Sequence, residues 1–494
     1  MRFRSTCILA ATVFHTYFDG ILAINSTALQ TCTQLQTTLG SDIVQFPNGP
    51  EYLNSSANAY SFFNAEILAT CIVLPRQASH VQIAMAAIFK NKVHYAVRAG
   101  GHSGMTGWNA VQDGILFFFS HMKSISYDDK KDTITLQPGI RWGEAVQQLQ
   151  PFGVTPMGGR LPDVGTGLLL GGGYSYLSRQ HGFACDAFIE LDVVLVNGEL
   201  VTATATNEHA DLFRALKGGA NRFGIVTRYE VQAIHASSLN ADWFGGLVLY
   251  PNSSVEAILA ATHKFTTTVT DPNATFDMVF VNTVNGSDVV GTHGLTLLYH
   301  GSALPPGIFD DFLAIPAINN QLGPITYLTA LNLSGPGNDR GSGAKMGAGA
   351  VSGGVEEYTN AYRAWNDFTT DPAVKPTLAW SILAFTPISK FQISVGRARG
   401  SNSFDPPLVN YAAIDFQANA IPGLREWSPQ VEAARQTVFK RMPPSPGLPL
   451  YMNESDQKQK VFATYGRFEE LKRTYAKYDP TRFNVRFTDG PPGL

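Results

Sequence analysis

Val93, Tyr95 and Val97 alternate with more polar neighbours, a period of two that predicts a short strand running into Arg98-Ala99-Gly100-Gly101-His102-Ser103-Gly104. Residues 115–119 and 193–196 are short, unbroken apolar runs and predict buried strands, whereas 81–89 and 145–149 carry helical spacing. From about 60 to 235, short strands alternate with helical segments, which predicts an α+β organisation. Residues 334–354 are Gly-rich and poor in charge and predict a long loop, read equally as a substrate lid or a disordered insertion. A Pro-rich stretch at 443–449 predicts a connector ahead of Tyr451. No internal repeat interrupts this pattern.

Length adds the expectation of two domains. The chain has 494 residues, 44% of them hydrophobic and 15% charged, and single cores seldom grow past about 300 residues. A net charge of −3 without blocks of like charge leaves no electrostatic footprint for nucleic acid or anionic lipid, so small molecules are the expected partners. Arg2 and Arg4 precede an apolar run from Cys7 to Phe14, with small residues near Ala23, which predicts a secretion signal over 1–23 and a secreted or vesicular location. No later stretch approaches the ~18 to 20 apolar residues of a membrane span. Seven N-x-[ST] sequons (Asn25, Asn54, Asn252, Asn273, Asn285, Asn332, Asn453) fit a secreted chain, although Asn453 is not expected to carry a glycan. With Cys7 lost in the leader, Cys32, Cys71 and Cys185 remain: one pair plus a free thiol, or three reduced cysteines.

The glycines after Val97 permit φ > 0 and close approach of the backbone to a ligand. Successive N–H groups in such a turn form an anion-binding nest, with Arg98 at hand for phosphate and His102 able to do chemistry; the alternative is a tight turn. Other motifs fit worse. Gly165-Thr166-Gly167 is followed by leucines rather than a third glycine in GxGxxG register, and no P-loop, GxSxG, HExxH or CxxC occurs, so no metal site is expected.

Further stretches extend the pattern: Ile134-Thr135-Leu136-Gln137-Pro138-Gly139, Pro162-Asp163-Val164-Gly165-Thr166-Gly167, Gly171-Gly172-Gly173-Tyr174, Gly182-Phe183-Ala184-Cys185-Asp186, Asp211-Leu212-Phe213 with Lys217-Gly218-Gly219-Ala220, Phe223-Gly224-Ile225-Val226-Thr227, Tyr451-Met452-Asn453 and Lys477-Tyr478-Asp479-Pro480. In this order, from Cys32 to the C-terminus, the chain resembles the FAD-linked oxidases of the berberine-bridge-enzyme group in the vanillyl-alcohol-oxidase (PCMH-type) flavoprotein superfamily. The resemblance implies an α+β fold: a two-part PCMH-type FAD-binding domain over 24–235, a substrate domain with an antiparallel sheet over 236–445, and a segment 446–494 returning to the FAD domain.

It further implies FAD bonded through its 8α-methyl to His102. Doubly linked members carry Cys before the Pro of C-P-x-V-G, where this chain has Leu161, so a single histidyl link is expected and carbohydrate oxidation is put in doubt. Gly100, Gly101, Ser103 and Gly104 would line the pyrophosphate, and Val164, Gly165, Gly172 and Gly173 would approach the ring and ribityl chain. Asp186 is a hydrogen-bonding candidate, Val226 would serve the adenine end, and Asn453 would contact the flavin. Tyr451 would point into the substrate cavity as a base, or else pack as a plain aromatic. Cys32–Cys71 matches the family's N-terminal disulfide. The implied reaction is dehydrogenation of a small organic substrate, a specialised-metabolite intermediate, by hydride transfer to flavin N5. O₂ would then reoxidise the flavin to give H₂O₂, with Val164 leaving the oxygen path open. An extracellular sugar oxidase and a flavin-templated cyclase without net redox turnover are the alternatives, and a monomer is expected.

Overall fold

A computed structural model describes residues 26–335, 337–338 and 340–494; the leader expected over 1–23 and the sequon at Asn25 lie outside them. Three sheets organise the chain. The first, in the order β1 (Val44–Gln45), β2 (Cys71–Val73), β4 (Ile115–Phe118), β3 (Tyr95–Arg98), pairs β2 and β3 in parallel with β4. The helix Ala78–Asn91 lies between β2 and β3 in the chain and buries Val81, Ala84, Met85 and Ile88 as one stripe. That helix ends at Lys92 in the left-handed conformation, which turns the chain into β3.

The second sheet has the order β5 (Ile125–Asp128), β6 (Thr133–Leu136), β9 (Ile225–Gln232), β7 (Phe188–Val194), β8 (Leu200–Thr204) and is antiparallel. The third is a seven-stranded antiparallel sheet built from β10 (Trp243–Pro251), β11 (Ala274–Asn285), β12 (Asp288–His300), β13 (Asn319–Ile325), β14 (Ala344–Val351), β15 (Leu378–Ile388) and β16 (Tyr411–Ala420), in the order β13-β10-β12-β11-β15-β16-β14. Mixed helix and sheet with this antiparallel layer is the α+β architecture expected from the chain.

Period-two alternation gives the third sheet two unlike faces. Phe276, Met278 and Phe280 of β11, Leu383 and Phe385 of β15, and Ile414 and Phe416 of β16 share one core with residues of the helices Val255–Thr268, Val355–Thr370 and Pro429–Arg441. Their neighbours Asp277, Val279, Ile382, Ala384, Asp415 and Gln417 face a cavity on the other side.

One expectation is corrected here. The stretch 334–354 is not a continuous loop: Ala344–Val351 is β14, paired with β16 from Ala344↔Asn419 to Val351↔Ala412. Its small residues hid the strand because they are cut to fit their neighbours. A Cβ on Gly347 would lie 2.0 Å from the Phe439 ring, so the helix Pro429–Arg441 needs glycine there.

Cys32 in the helix Ser26–Leu39 and Cys71 in β2 form a disulfide with Cα atoms 6.1 Å apart, and Cys185 is a free, buried thiol. The bridge ties the first helix to the first sheet across a separation of 39 residues. Replacing both cysteines with serine is expected to cost about 3 to 4 kcal/mol by loop-closure entropy. Denaturant unfolding measures it, and a loss under ~1 kcal/mol would show that the bridge contributes little.

Candidate active site

A cavity of about 430 Å³ lies where the first two sheets meet the third. Its upper wall is the turn after β3. Gly101 has φ +78, and among the described residues the backbone N–H groups of Gly100, Gly101, His102, Ser103 and Gly104 have no acceptor within the protein. Consecutive free donors on a glycine turn make a seat for an anion. Gly165 packs against this turn so closely that a Cβ on Gly100 would lie 2.6 Å from the Gly165 nitrogen, and one on Gly165 would lie 2.6 Å from the Gly100 nitrogen.

Of the expected site residues, Gly100, Gly101, His102, Ser103, Val164, Gly165, Val226, Tyr451 and Asn453 all line the cavity. Five do not. Arg98 is fully buried and donates to the backbone carbonyls of Ser55, Ser56 and Asn109 at 2.6, 3.0 and 2.9 Å. It braces the turn from behind instead of meeting phosphate. Gly104 gives room to Met346, whose Cγ an added Cβ would meet at 2.8 Å. Gly172 and Gly173, both at positive φ, seat Phe404 and Ala184, and their carbonyls accept from Cys185 and Ala184. Asp186 is buried and accepts from the Phe183 N–H at 2.9 Å and from Asn402 Nδ2 at 3.0 Å. Each of these four positions serves packing or docking around the cavity wall.

His102 stacks on Tyr60 with ring centroids 4.0 Å apart, and its Nε2 lies 2.8 Å from the Gly337 carbonyl oxygen. Burial pushes its pKa below the usual histidine value, against the raising effects of Gly337 and Asp163. The ring is therefore neutral at neutral pH.

Tyr451 stacks on Tyr174 at 3.7 Å. Its hydroxyl oxygen accepts from the Tyr174 N–H at 3.0 Å and from Asn453 Nδ2 at 2.8 Å. Asn453 Nδ2 also donates to the Leu168 carbonyl at 2.9 Å, and Gly171 makes room for its side chain, since a Cβ there would lie 2.1 Å from Asn453 Oδ1. With both lone pairs engaged, the phenol offers its proton outward. Burial first, then Glu454, raises its pKa well above that of free tyrosine. Tyr451 thus holds its proton and packs on Tyr174, an arrangement nearer the packing alternative than the base.

The cavity floor holds groups that the motif reading missed. Arg160 pairs with Asp277 at 2.7 Å and Glu454 at 3.2 Å, and Thr386 bridges Arg160 and Asp277 at 2.6 and 3.2 Å. Asp415 stands opposite Ala384 on β16, with a buried Oδ1 that has no hydrogen-bond partner. Burial raises the pKa of Asp415, with Glu454 adding and Arg160 opposing, and burial likewise raises that of Glu454 against Arg160. Arg160 pairs with two carboxylates and Asp415 has no such partner, so Asp415 and Glu454 retain a proton above the ordinary carboxylate range. The available signal was β16 itself: Asp415, Gln417 and Asn419 repeat every second residue between buried apolar ones.

Comparison with known proteins fits this geometry. Residues 69–204 match the FAD binding domain family. An uncharacterised FAD-linked oxidoreductase of Arthroderma benhamiae is 29% identical over 89% of this chain and 90% of its own length. An FAD-dependent monooxygenase of Arthrobotrys oligospora is 27% identical over 97% and 87%. The crystal structure of a carbohydrate oxidase from Microdochium nivale superposes with a TM-score of 0.73 at 20% identity, over 94% of this chain and 100% of that one. Residues 69–204 thus carry an FAD binding domain, in a chain similar over most of its length to an FAD-linked oxidoreductase. The free N–H groups of the Gly100–Gly104 turn suit the FAD pyrophosphate, and the His102 and Val164 walls suit its ring.

Close approach at Gly165 is open to test. Gly165→Ala should cut bound flavin at least tenfold in purified protein, while Gly323→Ala, whose Cβ meets nothing within 4 Å, should leave it unchanged. Full flavin content in Gly165→Ala would contradict the cradle.

Proposed function

We propose that this FAD-linked oxidoreductase dehydrogenates a small, largely apolar organic substrate, with FAD attached through His102 alone and dioxygen as the final acceptor. When bound, FAD supplies a two-electron acceptor. The observation that carries the reading is the carboxylate group on the third sheet, which opens into the same cavity as the glycine turn. Asp415 takes the substrate's proton, Arg160 and Glu454 set its protonation, and Tyr451 donates a hydrogen bond to the substrate. Val279, Trp380, Ile382 and Met346 line the substrate end and favour an apolar skeleton over a sugar.

Single attachment is supported by Leu161, whose side chain lies beside His102 and Gly337, and by Cys185, which is buried away from the cavity. In acid-denatured protein, flavin should remain with the wild-type polypeptide and with Cys185→Ser, and should leave His102→Ala. Complete release from wild type would overturn the histidyl link.

The monooxygenase name of the Arthrobotrys oligospora relative favours a second reading, insertion of oxygen. Turnover in ¹⁸O₂ separates the two: the proposed reaction yields stoichiometric H₂O₂ and unlabelled product, whereas a labelled product would establish insertion.

Asp415→Asn should slow flavin reduction by about 10² to 10⁴ in anaerobic stopped flow. Because the base works deprotonated and its pKa is raised, the wild-type rate should fall as pH drops through a midpoint above the ordinary carboxylate value of about 4. Glu454→Gln removes a like charge and should move that midpoint to lower pH. A flat pH profile, or an unchanged rate in Asp415→Asn, would remove Asp415 from the role of base.

A further inference from the structure

Gly337 and Arg340 reach from the segment before β14 to the far side of the glycine turn. The Gly337 carbonyl meets His102 Nε2 at 2.8 Å. Three residues on, Arg340 Nη1 pairs with Asp163 Oδ2 at 2.6 Å, and Arg340 Nη2 approaches the Gly100 carbonyl at 3.4 Å. Asp163 is also the partner of Arg141, which itself donates to Gly100 O at 3.1 Å and Asn58 Oδ1 at 2.9 Å. The Asp163 side chain is 8% exposed and that of Arg340 22%. A chain segment of the substrate side is therefore fastened, through one half-buried ion pair, to the residue before Val164, and presents its carbonyl to the imidazole.

We propose that the Arg340–Asp163 pair is a lock that positions His102 for attachment to FAD, by holding the Gly337 carbonyl against Nε2. The inference rests on the histidyl reading above. A carbonyl oxygen only accepts, so Nε2 carries the hydrogen and Nδ1 keeps the lone pair. Tyr60, stacked on the face of the ring, restricts its rotation. In the attachment step, His102 Nδ1 forms a bond to the 8α carbon. One C–H bond there breaks, and its proton and the Nε2 proton leave. The two electrons pass to the isoalloxazine ring, from which dioxygen takes them with two protons to give H₂O₂. Arg340 and Asp163 do not enter this chemistry; they are positioning residues.

Losing the lock releases the carbonyl and lets the imidazole adopt the other tautomer or turn away, which slows attachment without removing the N–H seat for the pyrophosphate. The full-length protein, purified with its flavin, tests this by comparing total bound flavin, from visible absorbance, with the fraction that stays on the polypeptide after acid precipitation. Arg340→Ala is expected to keep near-stoichiometric total flavin while its attached fraction falls at least fivefold, and Arg340→Lys, which retains the charge, should restore part of it. Asp163→Asn also loosens Arg141 from the Gly100 turn and should lower total and attached flavin together, so the Arg340 variants carry the test. An attached fraction equal to wild type in Arg340→Ala overturns the lock. So does a parallel loss of total and attached flavin in both Arg340→Ala and Arg340→Lys, because the pair would then serve the fold. Release of all flavin from the wild type overturns the histidyl reading itself, and the lock with it.

Discussion

Backbone contact between Gly100 and Gly165 is the constraint on which the site depends. Two turns from different parts of the chain can touch at that distance only if neither carries a Cβ. Arg141 then clamps both, donating to the Gly100 carbonyl and pairing with Asp163, while the Trp142 N–H bonds the Val164 carbonyl at 3.0 Å. The entry of the helix Trp142–Leu149 thus anchors the cradle, and the apolar stripe of that helix, Trp142, Ala145, Val146 and Leu149, fixes it in the core. Burial of Arg98 behind the turn adds a second brace: its guanidinium satisfies three carbonyls that would otherwise be costly to bury.

Opposite the cradle, the third sheet uses its alternation to separate packing from chemistry. One face is filled by phenylalanines and aliphatic residues beneath three helices. On the other face, Asp277 pairs with Arg160, which also holds Glu454 from the short helix Met452–Glu454, and Asp415 lines the same cavity. Three carboxylates and one guanidinium in a buried place are unfavourable for stability unless a proton is retained. Carboxylates perturbed in this way cluster at functional sites. The stacked pair Tyr174–Tyr451 lines the same cavity.

Much of the cradle was legible because its chemistry is local. A strand ending in Gly-Gly-His and a segment Pro-Asp-Val-Gly declare backbone proximity within a few residues, and the structure brings both to the same cavity. Positions such as Arg98, Gly172, Gly173 and Asp186 carry the same residue types for a different reason: they are buried supports, and type alone does not distinguish a glycine under a phosphate from one under Phe404. β14 was illegible because glycine and alanine weaken the apolar alternation that reveals strands. The carboxylate floor was harder still, since Arg160, Asp277, Asp415 and Glu454 are scattered over nearly 300 residues and meet only through tertiary packing. Tyr451 was found, and its two N–H donors bring it nearer the packing alternative than the base.

Cradle and floor together make one claim: a flavin lies with its pyrophosphate on the Gly100–Gly104 turn and its ring between His102 and the carboxylates. A crystal structure of the flavin-loaded protein tests it most directly. The account predicts pyrophosphate oxygens within hydrogen-bond distance of the Gly101, His102 and Ser103 N–H groups, continuous density from the ring to His102, and the ring edge facing Asp415. Pyrophosphate bound away from that turn, or a ring with the carboxylate group outside its reach, would contradict it.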